Sequence, residues 1–355
     1  MRLMLIGTDR MIFTPESAVR RRITRFGSAY TQALDSIVFS TRSHKIATAQ
    51  TLAPAVHAYP TNSRSRLLYG WNAFCIARRL PRPDAVSAQD PFETGLAALF
   101  IARYFGVPLM VEMHTDFLAP SFGRHSLLNR VRLMIAGYVL RHAAGGYAVS
   151  ERICTAVRER YHVKVPLDVL PIYVDTARFA SLVHTRHPRF NTALLWVGRL
   201  EEEKNPRLAL DALVAARGAG FDAGLTFVGG GNLMEQLKNQ ARQCGVAQWV
   251  EFAGQAGDVL PYYASADVLL VTSAYEGYGM VIVEALAAGV PVLSTDVGIA
   301  REAGAVIAGS AKEQYAEALV HWLKNTHERG VLKFNPYASE DEYFSRVAAL
   351  YASIV

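Results

Sequence analysis

Short apolar runs alternate with longer amphipathic stretches along almost the whole chain. The runs in the first half are RLMLIG, SIVFST, DAVSAQ, PLMVEMH, GGYAVS and LDVLPI. Those in the second half are ALLWVGR, AGLTFVGGG, WVEFAG, DVLLVTS and PVLSTD. Short buried strands separated by amphipathic helices are typical of parallel sheets built from strand–helix–strand units. The pattern therefore predicts an α/β fold with two doubly wound, Rossmann-like domains.

A polar segment separates the two series of strands. Residues 180–192 are rich in His and Arg and contain a proline, a composition typical of a linker. We therefore predict a first domain over residues 1–182 and a second domain over residues 190–338. The closing segment, residues 339–355, starts with Ser339 and three acidic residues, which indicates a capped helix.

The composition is that of a folded protein. Of the 355 residues, 51% are apolar and 19% are charged, which excludes a disordered chain. No apolar run reaches the roughly 20 residues that a membrane span needs, and the first run is too short for a signal peptide. We therefore expect a cytoplasmic protein. The three cysteines (Cys75, Cys154 and Cys244) lack metal-ligand spacing, so we expect reduced, buried thiols and no metal site.

Positive charge is concentrated in the first half. Residues 1–175 hold 22 Lys and Arg against 12 Asp and Glu, whereas residues 176–355 hold 15 against 19. A basic half suggests an anionic partner: a phosphate-bearing substrate, an acidic membrane surface or nucleic acid. Within it lie an arginine cluster (Arg20, Arg21, Arg22 and Arg25) and residues 117–142.

Residues 117–142 mix Arg and His with large apolar residues at near-helical spacing. The segment has two interpretations. It is either an interfacial helix that meets an anionic membrane, or a core-facing helix with a solvated basic face. The first interpretation would place the protein peripherally at the inner face of the membrane, next to a lipid-linked substrate.

The sharpest chemical signal lies in residues 273–298, SAYEGYGMVIVEALAAGVPVLSTDVG. A strand leads into a turn with Gly277 and Gly279, and a helix follows. Backbone amides at a helix start lack intrahelical partners and sit at the positive end of the helix dipole, so they can bind a diphosphate. Glu276 and Glu284 flank this start and can accept paired hydrogen bonds from sugar or ribose hydroxyls. The structural alternative is one capping Glu and one solvated Glu.

A second signal lies in residues 194–213, LLWVGRLEEEKNPRLALDAL. The strand ends at Gly198, and Arg199 and Lys204 follow in a short polar loop. Ligands of open α/β sheets bind at the carboxyl ends of strands. Two cations at this edge would neutralise a departing diphosphate. Alternatively, they are surface charges that pair with residues 201–203.

A third signal is the run TFVGGGNLMEQL, in which a strand, three glycines and a helix follow one another. Glycines let a backbone approach phosphate closely, so Gly230 is a candidate contact. The run lacks the Lys-Ser/Thr pair of a P-loop, and a plain helix-initiating turn is the alternative. Gly254, in EFAGQ, is a weaker candidate of the same kind.

In this order, the segments resemble the retaining family-4 glycosyltransferases of GT-B fold. The resemblance covers the second half through GRLEEEKN, the glycine loop, the FAG strand, EGYGMVIVE, EALAAGVPVLSTDVG and Glu302. In the first half it rests on AQDPFETG, PLMVEMHTDF, AVSERI and VLPIYVDTARF. The first half departs from the family in two places. Gly7 stands where the family often has a glycine pair, and Ile172 and Tyr173 replace its usual Asn-Gly.

The resemblance implies an architecture and a role for each candidate. The two domains would face a central cleft, with the C-terminal helix crossing back to the first domain. Arg199 and Lys204 would hold the donor diphosphate, Glu284 the ribose and Glu276 the transferred sugar, while His114 would face the sugar or acceptor. The remaining candidates would contact the substrate mainly through their backbone: Gly277, Tyr278, Gly279, Met280, Val281, Gly230, Gly254 and Gly7.

The implied activity is hexosyl transfer from a UDP- or GDP-sugar to a glycan or lipid-linked acceptor. Retention of configuration, independence from metal and cofactor, and domain closure that excludes water are further expectations of the resemblance. Nucleic acid is not an expected partner, because aromatic stacking platforms and binding motifs are not evident. A nucleotide-sugar 2-epimerase-like isomerase of the same fold and an inactive sugar-nucleotide-binding scaffold remain alternatives.

Overall fold

The computed structural model describes residues 1–46, 48–325 and 328–355, with the backbone alone at His125. The chain divides into two compact units, Met1–Pro171 with Ser339–Val355, and Ile172–Ala338. The division therefore lies about ten residues before the predicted end of the first domain. The reason is that the segment after residue 171 packs on the second unit. Thr185, for example, donates its amide to Ala264 O at 2.9 Å, and Phe190 is buried.

An eight-stranded sheet forms the centre of the first unit. Its strands are β1 (Arg2–Gly7), β2 (Ala33–Val38), β3 (Gln50–Ala53), β4 (Val56–Pro60), β5 (Ala85–Ala88), β6 (Leu109–Met113), β7 (Gly145–Ala148) and β8 (Leu167–Val169). The order is β3-β4-β2-β1-β5-β6-β7-β8, and only β3 runs antiparallel to its neighbour. The sequence pattern predicted β1, β2 and β5 to β8 but not the hairpin β3–β4.

Helices cover this sheet. They are α1 (Ala18–Tyr30), α2 (Tyr69–Ala77), α3 (Glu93–Phe105), α4 (Pro120–His125), α5 (Leu127–His142) and α6 (Glu151–Tyr161), with 3-10 turns at Arg10–Phe13, Arg42–His44 and Arg66–Leu68. Their boundaries follow local chemistry. The Ser17 hydroxyl caps α1 by accepting the Arg20 amide, and α3 ends at Gly106 in the left-handed conformation.

The second unit holds a six-stranded parallel sheet with the order β11-β10-β9-β12-β13-β14. The strands are β9 (Thr192–Val197), β10 (Ala223–Val228), β11 (Val250–Gly254), β12 (Val268–Val271), β13 (Val292–Thr295) and β14 (Val306–Ala308). The five predicted strands are all present, and β14 is additional. The chain moves outward from β9 in one direction and from β12 in the other. The topological switch point, where ligands of such sheets bind, therefore lies between β9 and β12.

The helices of the second unit are α7 (Thr176–Ala180), α8 (Pro206–Gly218), α9 (Met234–Gln243), α10 (Leu260–Ala264), α11 (Met280–Ala287), α12 (Ala300–Ala303) and α13 (Lys312–Asn325), with 3-10 turns at Glu202–Lys204 and Ala247–Trp249. The core of this unit is built around Trp196, Phe227, Leu270 and Tyr315, all buried. The strands are anchored by this core, and their polar loops are left at the carboxyl edge.

The last helix, α14 (Glu340–Ala352), belongs to the first unit. Its Ser339 cap accepts the Glu342 amide at 3.2 Å, as the sequence predicted. Phe344 packs against α1, with its ring centroid 5.7 Å from that of Phe26. The helix thereby extends the core of a unit that begins more than three hundred residues earlier.

Arg25 of the basic cluster also serves this packing. Its guanidinium forms ion pairs with Glu340 and with Asp341, the latter at 2.8 Å. Part of the positive charge in the first half is therefore directed at the acidic first turn of α14, not at an external anion.

Two further expectations concern membrane spans and the cysteines. Within the described ranges, every helix falls short of the length and hydropathy that a bilayer-spanning segment needs. The cysteines are free thiols, as predicted. Cys154 is buried and Cys75 is partly buried, but the prediction of burial is wrong for Cys244, which is exposed because it lies at the C-terminal end of α9.

Candidate functional site

The loops that follow β9 and β12 meet at the switch point of the second sheet. Thr272 donates its hydroxyl to Lys204 O at 3.0 Å, and Ala274 donates its amide to Glu203 O at 2.8 Å. These bonds fix the β9 loop against the β12 loop. The structure thus brings together the second and the first of the sequence signals, which lie about seventy residues apart.

Lys204 and Glu276 form an ion pair at the centre of this meeting point. The Lys204 Nζ lies 2.5 Å from Glu276 Oε1, and both side chains are mostly buried. The Ser273 hydroxyl donates to the same carboxylate oxygen at 2.7 Å. Two donors therefore hold Glu276 in one orientation, beside the ammonium that the sequence predicted for the donor diphosphate.

Arg199 lies in the same loop but is directed to solvent. Its side chain is 70% exposed and pairs with Glu203 Oε1 at 2.8 Å. Pairing with the acidic run was the alternative interpretation, and it holds for Glu203. An exposed ion pair of this kind is worth at most about 1 kcal/mol, so an anion of higher charge can displace the carboxylate.

Glu201 has a structural role instead. Its carboxylate accepts hydrogen bonds from the backbone and side-chain amides of Asn232, both at 3.1 Å. Asn232 directly follows the glycine loop after β10. Glu201 therefore ties the loop that carries Arg199 and Lys204 to the glycine loop.

The start of α11 faces the same edge of the sheet. Gly279 precedes the helix with φ +93°, a conformation that strongly favours glycine. The first helical residues, Met280 and Val281, have amides without acceptors in the preceding turn, and the helix dipole makes this end positive. The Tyr278 side chain is buried, so only its backbone can contribute to a ligand site. Gly277, directly before it, is buried as well.

The glycine loop after β10 packs closely against the β9 loop at two of its three positions. A Cβ on Gly229 would lie 1.8 Å from Gly198 O, and one on Gly231 would lie 2.4 Å from Leu200 O. A Cβ on Gly230, the predicted residue, meets only Gln255 Cγ, at 3.8 Å. The requirement for glycine therefore lies on the two flanking positions, because they pack directly against the β9 loop.

Gly254 completes this group of strand ends. Its carbonyl accepts the Gly229 amide at 2.7 Å, and its φ is +73°. A Cβ at this position would meet nothing within 4 Å. The β11 end therefore supports the glycine loop and leaves open space beside it.

Glu284 lies in the second turn of α11, and its hydrogen-bond donor is not one of those that bind Glu276. The Tyr263 hydroxyl donates to Glu284 Oε2 at 2.9 Å. Burial raises the pKa of Glu284, and the Tyr263 hydrogen bond and the nearby Arg178 offset only part of that effect. Tyr263 itself is fully buried, and sequence reasoning missed it because its position 21 residues upstream carries no motif.

The carboxyl edge of the first sheet carries the remaining candidates. A Cβ on Gly7 would lie 2.7 Å from Gln89 Oε1, which accepts the Thr8 amide at 2.8 Å. Gly7 is the last residue of β1 and Gln89 directly follows β5, and these are the two strands at the switch point of this sheet. Asp90 is next in the chain, and burial raises its pKa despite the hydrogen bond from the Phe92 amide.

His114, which follows β6, is held by a buried carboxylate. Its Nε2 lies 2.9 Å from Glu112 Oε2, while Glu112 Oε1 accepts the hydroxyls of Ser87 and Tyr351, both at 2.8 Å. Burial alone would raise the pKa of Glu112, but the hydrogen bonds from His114, Tyr147 and Tyr351 and the charge of His114 lower it to about 2. Sequence reasoning found His114 but not Glu112 or Tyr351. In the described part of the chain, no three His, Cys, Asp or Glu side chains gather as a metal site would require.

Comparison with known families agrees with this architecture. The model described as Glycosyltransferase Family 4 matches residues 19–178, and the model described as Glycosyl transferases group 1 matches residues 191–325. The first match covers the first sheet except for β1, and the second match covers the whole second sheet. The chain belongs to the family 4 glycosyltransferases.

Curated relatives of this family 4 chain include a glycogen synthase of Mycobacterium tuberculosis, 30% identical over 226 residues, which are 61% of this chain and 53% of the relative. A GDP-mannose-dependent alpha-(1-6)-phosphatidylinositol monomannoside mannosyltransferase of the same organism is 32% identical over 217 residues, which are 54% of this chain and 56% of the relative. The family 4 chain thus spans about half the length of the curated relatives it matches.

Among solved structures, Anabaena HepE in complex with UDP and glucose superposes with a TM-score of 0.74. The superposition covers 99% of this family 4 chain and 100% of HepE at 18% identity. At that identity the likeness shows the fold alone, and the fold is GT-B, as the sequence predicted.

Proposed function

We propose that the chain is a retaining hexosyltransferase that moves a sugar from a UDP- or GDP-sugar to a glycan or lipid-linked acceptor. The observation that carries the proposal is the meeting of Arg199, Lys204 and the start of α11 at the switch point of the second sheet. Three positive features at one edge suit a diphosphate, which carries its charge on adjacent oxygens.

The same features supply the catalysis. As the bond between the sugar and the diphosphate breaks, negative charge develops on the leaving phosphate. Fixed cations and helix amides stabilise that charge without reorganising, and such groups contribute several kcal/mol in known sites, about 3–4 kcal/mol for one donor. Because the chain's own residues supply this stabilisation, the proposed transfer needs no metal ion.

The carboxylates recognise hydroxyls. Glu276, oriented by Lys204 and Ser273, would accept hydrogen bonds from the transferred sugar. Glu284 would accept the ribose hydroxyls in addition to the Tyr263 hydroxyl. His114, oriented by Glu112, would contact the sugar or the acceptor.

Retention requires attack on the face from which the diphosphate leaves. The acceptor hydroxyl oxygen bonds to the anomeric carbon while the carbon–phosphate oxygen bond breaks, and a donor phosphate oxygen takes the hydroxyl proton. The family membership supports this course, in which the donor itself acts as the base.

The relatives support the proposed range of substrates. One is named for a GDP-mannose donor and a phosphatidylinositol monomannoside acceptor, and another is named a glycogen synthase. HepE was solved with UDP and glucose. A lipid-linked acceptor would place this chain at the inner face of a membrane, in cell-envelope polysaccharide or glycolipid synthesis.

A panel of UDP- and GDP-sugars tests the proposal by thermal shift and by nucleotide release with and without glycan or lipid extract. We expect one donor to raise the melting temperature of the wild type but not of Arg199→Ala/Lys204→Ala. Lys238→Ala/Arg242→Ala removes the same charge from α9 and should respond like the wild type. If no sugar nucleotide stabilises the wild type, or if the control double variant also loses the response, the proposed donor site is wrong.

A further inference from the structure

Exposed apolar side chains are concentrated on three helices of the first unit. Of the sixteen large apolar side chains exposed among the described residues, ten lie on α2 and its preceding 3-10 turn, on α3 and on α5. Leu67 is 94% exposed, Trp71 63% and Met134 68%. Concentrated exposure of this kind marks an interaction surface, whereas single exposed apolar residues are ordinary. We call this surface the α2–α3–α5 face.

The three helices form one continuous surface. α2 packs against α3, and α3 packs against α5. The Phe74 ring lies 6.0 Å from the Trp71 ring and 5.2 Å from the Tyr104 ring, which joins α2 to α3. Arg103 donates to the Tyr138 hydroxyl at 3.2 Å, which joins α3 to α5. The exposed apolar residues therefore belong to one patch and not to three separate ones.

Helix α5 has two apolar faces. Ala136, Val139 and Leu140 are buried and pack towards the core. Leu127, Val131, Met134 and Tyr138 are all exposed and follow one another at spacings of four, three and four residues, which places them on a single outward stripe. Core packing accounts for the first face only. The outward stripe needs a different explanation.

The charge on this face has one sign. The 3-10 turn Arg66–Leu68 and the helices α2, α3 and α5 contain five arginines and one carboxylate in their sequence. That carboxylate, Glu93, accepts a hydrogen bond from Arg132 Nε at 2.9 Å and is neutralised by it. Arg66, Arg103, Arg130 and Arg141 are exposed among the apolar residues.

We propose that the α2–α3–α5 face binds the surface of an anionic lipid bilayer. Its aliphatic stripe and its Trp and Tyr side chains suit the boundary between headgroups and acyl chains, and its arginines suit anionic headgroups. A second copy of the chain is disfavoured, because a symmetric dimer through this face would oppose arginines to arginines. The inference deepens the proposed function and rests on it for its use, since a lipid-linked acceptor is presented at such a surface.

Flotation with large unilamellar vesicles tests the inference without any sugar donor. Vesicles of phosphatidylcholine alone are compared with vesicles containing 30 mol% phosphatidylglycerol, a composition on the order of anionic cell membranes. We expect wild-type protein to float with the anionic vesicles at low salt and to be released at high salt. Leu67→Ser/Trp71→Ser, Val131→Ser/Met134→Ser and Arg66→Gln/Arg130→Gln should each weaken binding about tenfold or more.

Matched controls place the same changes elsewhere. Val183→Ser/Val331→Ser removes exposed apolar side chains from the second unit, and Arg42→Gln/Arg160→Gln removes exposed arginines from other parts of the first unit. Both should bind like the wild type. Quenching of tryptophan fluorescence by bromo-lipids should be reduced in Trp71→Phe, because Trp71 alone of the four tryptophans is exposed. Trp196 and Trp322 are buried, and Trp249 is partly buried beneath the Arg217 guanidinium.

Several outcomes would overturn the inference. One is absence of binding to anionic vesicles at low salt. Another is an equal loss of vesicle binding in the face variants and in the control variants. A third is a face that proves to mediate self-association or capture of an acidic protein, without vesicle binding. The donor thermal shift of the face variants is measured in parallel, so that failure of the donor site and failure of membrane binding give separate results.

Discussion

Lys204 Nζ lies 2.5 Å from Glu276 Oε1, so the cation proposed to hold the donor diphosphate is paired with a carboxylate of the protein itself. In the proposed function, the donor would compete with this carboxylate for the ammonium. The exchange would release Glu276 to accept hydrogen bonds from the sugar. Because Glu276 would affect nucleotide affinity through Lys204 and turnover through the sugar, a single substitution of Glu276 can distinguish the two effects.

Glu276→Gln should separate the two quantities. Removing the competing charge should leave the affinity for UDP or GDP unchanged or raise it about 3- to 10-fold. Turnover should fall about 100-fold or more, because the carboxylate that orients the sugar is lost. Calorimetric titration with the nucleoside diphosphate and a nucleotide-release assay measure the two effects. Parallel losses of affinity and turnover would contradict this role, and Glu313→Gln, exposed on α13, provides a control for charge alone.

Glu284→Gln should stabilise the protein while it weakens nucleotide binding. Burial raises the pKa of Glu284, so the folded state disfavours the ionised form. The penalty is absent well below pH 4.5, builds as the pH rises through the raised pKa, and is fully present above it. We expect the variant to melt about 2–4 °C higher than the wild type at pH 8, the change that roughly 1 kcal/mol produces in a domain of this size.

The melting-temperature difference between wild type and Glu284→Gln should vanish near pH 4. If it is the same at pH 4 and pH 8, the ionised carboxylate is not the cause. Tyr263→Phe serves as the second variant, since it keeps the buried ring but removes the hydroxyl that donates to Glu284. It should destabilise the wild type by about 1 kcal/mol.

Glu112 has the opposite dependence on pH. Its pKa is lowered from 4.5 to about 2, so its ionised form stabilises the folded state at every pH above about 4.5. That contribution is lost as the pH falls towards 2. Urea unfolding of Glu112→Gln should therefore show a deficit at pH 7 that closes between pH 4.5 and pH 2. Glu159→Gln, exposed on α6, should show no such profile, and a deficit that is constant down to pH 3 would exclude the linkage.

Two neighbouring glycines give a matched pair of substitutions. Gly229→Ala would place a Cβ 1.8 Å from Gly198 O, at a φ of +132°, and should destabilise the protein by at least about 2 kcal/mol. Gly230→Ala meets its first atom at 3.8 Å and should change stability by no more than about 1 kcal/mol. Thermal unfolding of both variants measures the contrast. Equal effects would mean that the β9 loop yields to the added methyl group.

Much of the fold follows from the sequence because its central strands are almost wholly apolar. β10 and β12, for example, are buried at every position and stand out from the amphipathic segments around them. The hairpin β3–β4 was missed because β4 is half-exposed, with His57 and Tyr59 alternating with buried residues, and β3 is partly exposed along its length. β14 has only three residues, and Gly309 and Ser310 end its apolar run at once. β8 is equally short but was predicted, because the apolar residues 170–172 extend its run.

Candidate site residues were predictable where a charged or titratable side chain comes shortly after a strand in the sequence. Arg199 follows β9, Glu276 follows β12 and His114 follows β6, so topology places each at a carboxyl edge. The partners were not predictable in the same way, because Lys204 meets Glu276 across 72 positions and Glu112 meets Tyr351 across 239. Which of Gly229, Gly230 and Gly231 must be glycine depends on the backbone conformation of the loop, and three consecutive glycines in a sequence do not reveal it.

Because α14 returns to the first unit, the second unit is an insertion in the sequence of the first, between Pro171 and Ser339. Exchange of the whole second unit between relatives therefore needs two crossovers. A single crossover near residue 171 would bring in a foreign final helix as well, and the hydroxyl that Tyr351 donates to Glu112 would then depend on a sequence that did not evolve beside it. Chimeras built with both junctions would keep His114 and its supports within one lineage, and they would test whether the sugar-nucleotide preference follows the second unit, as the proposed function requires.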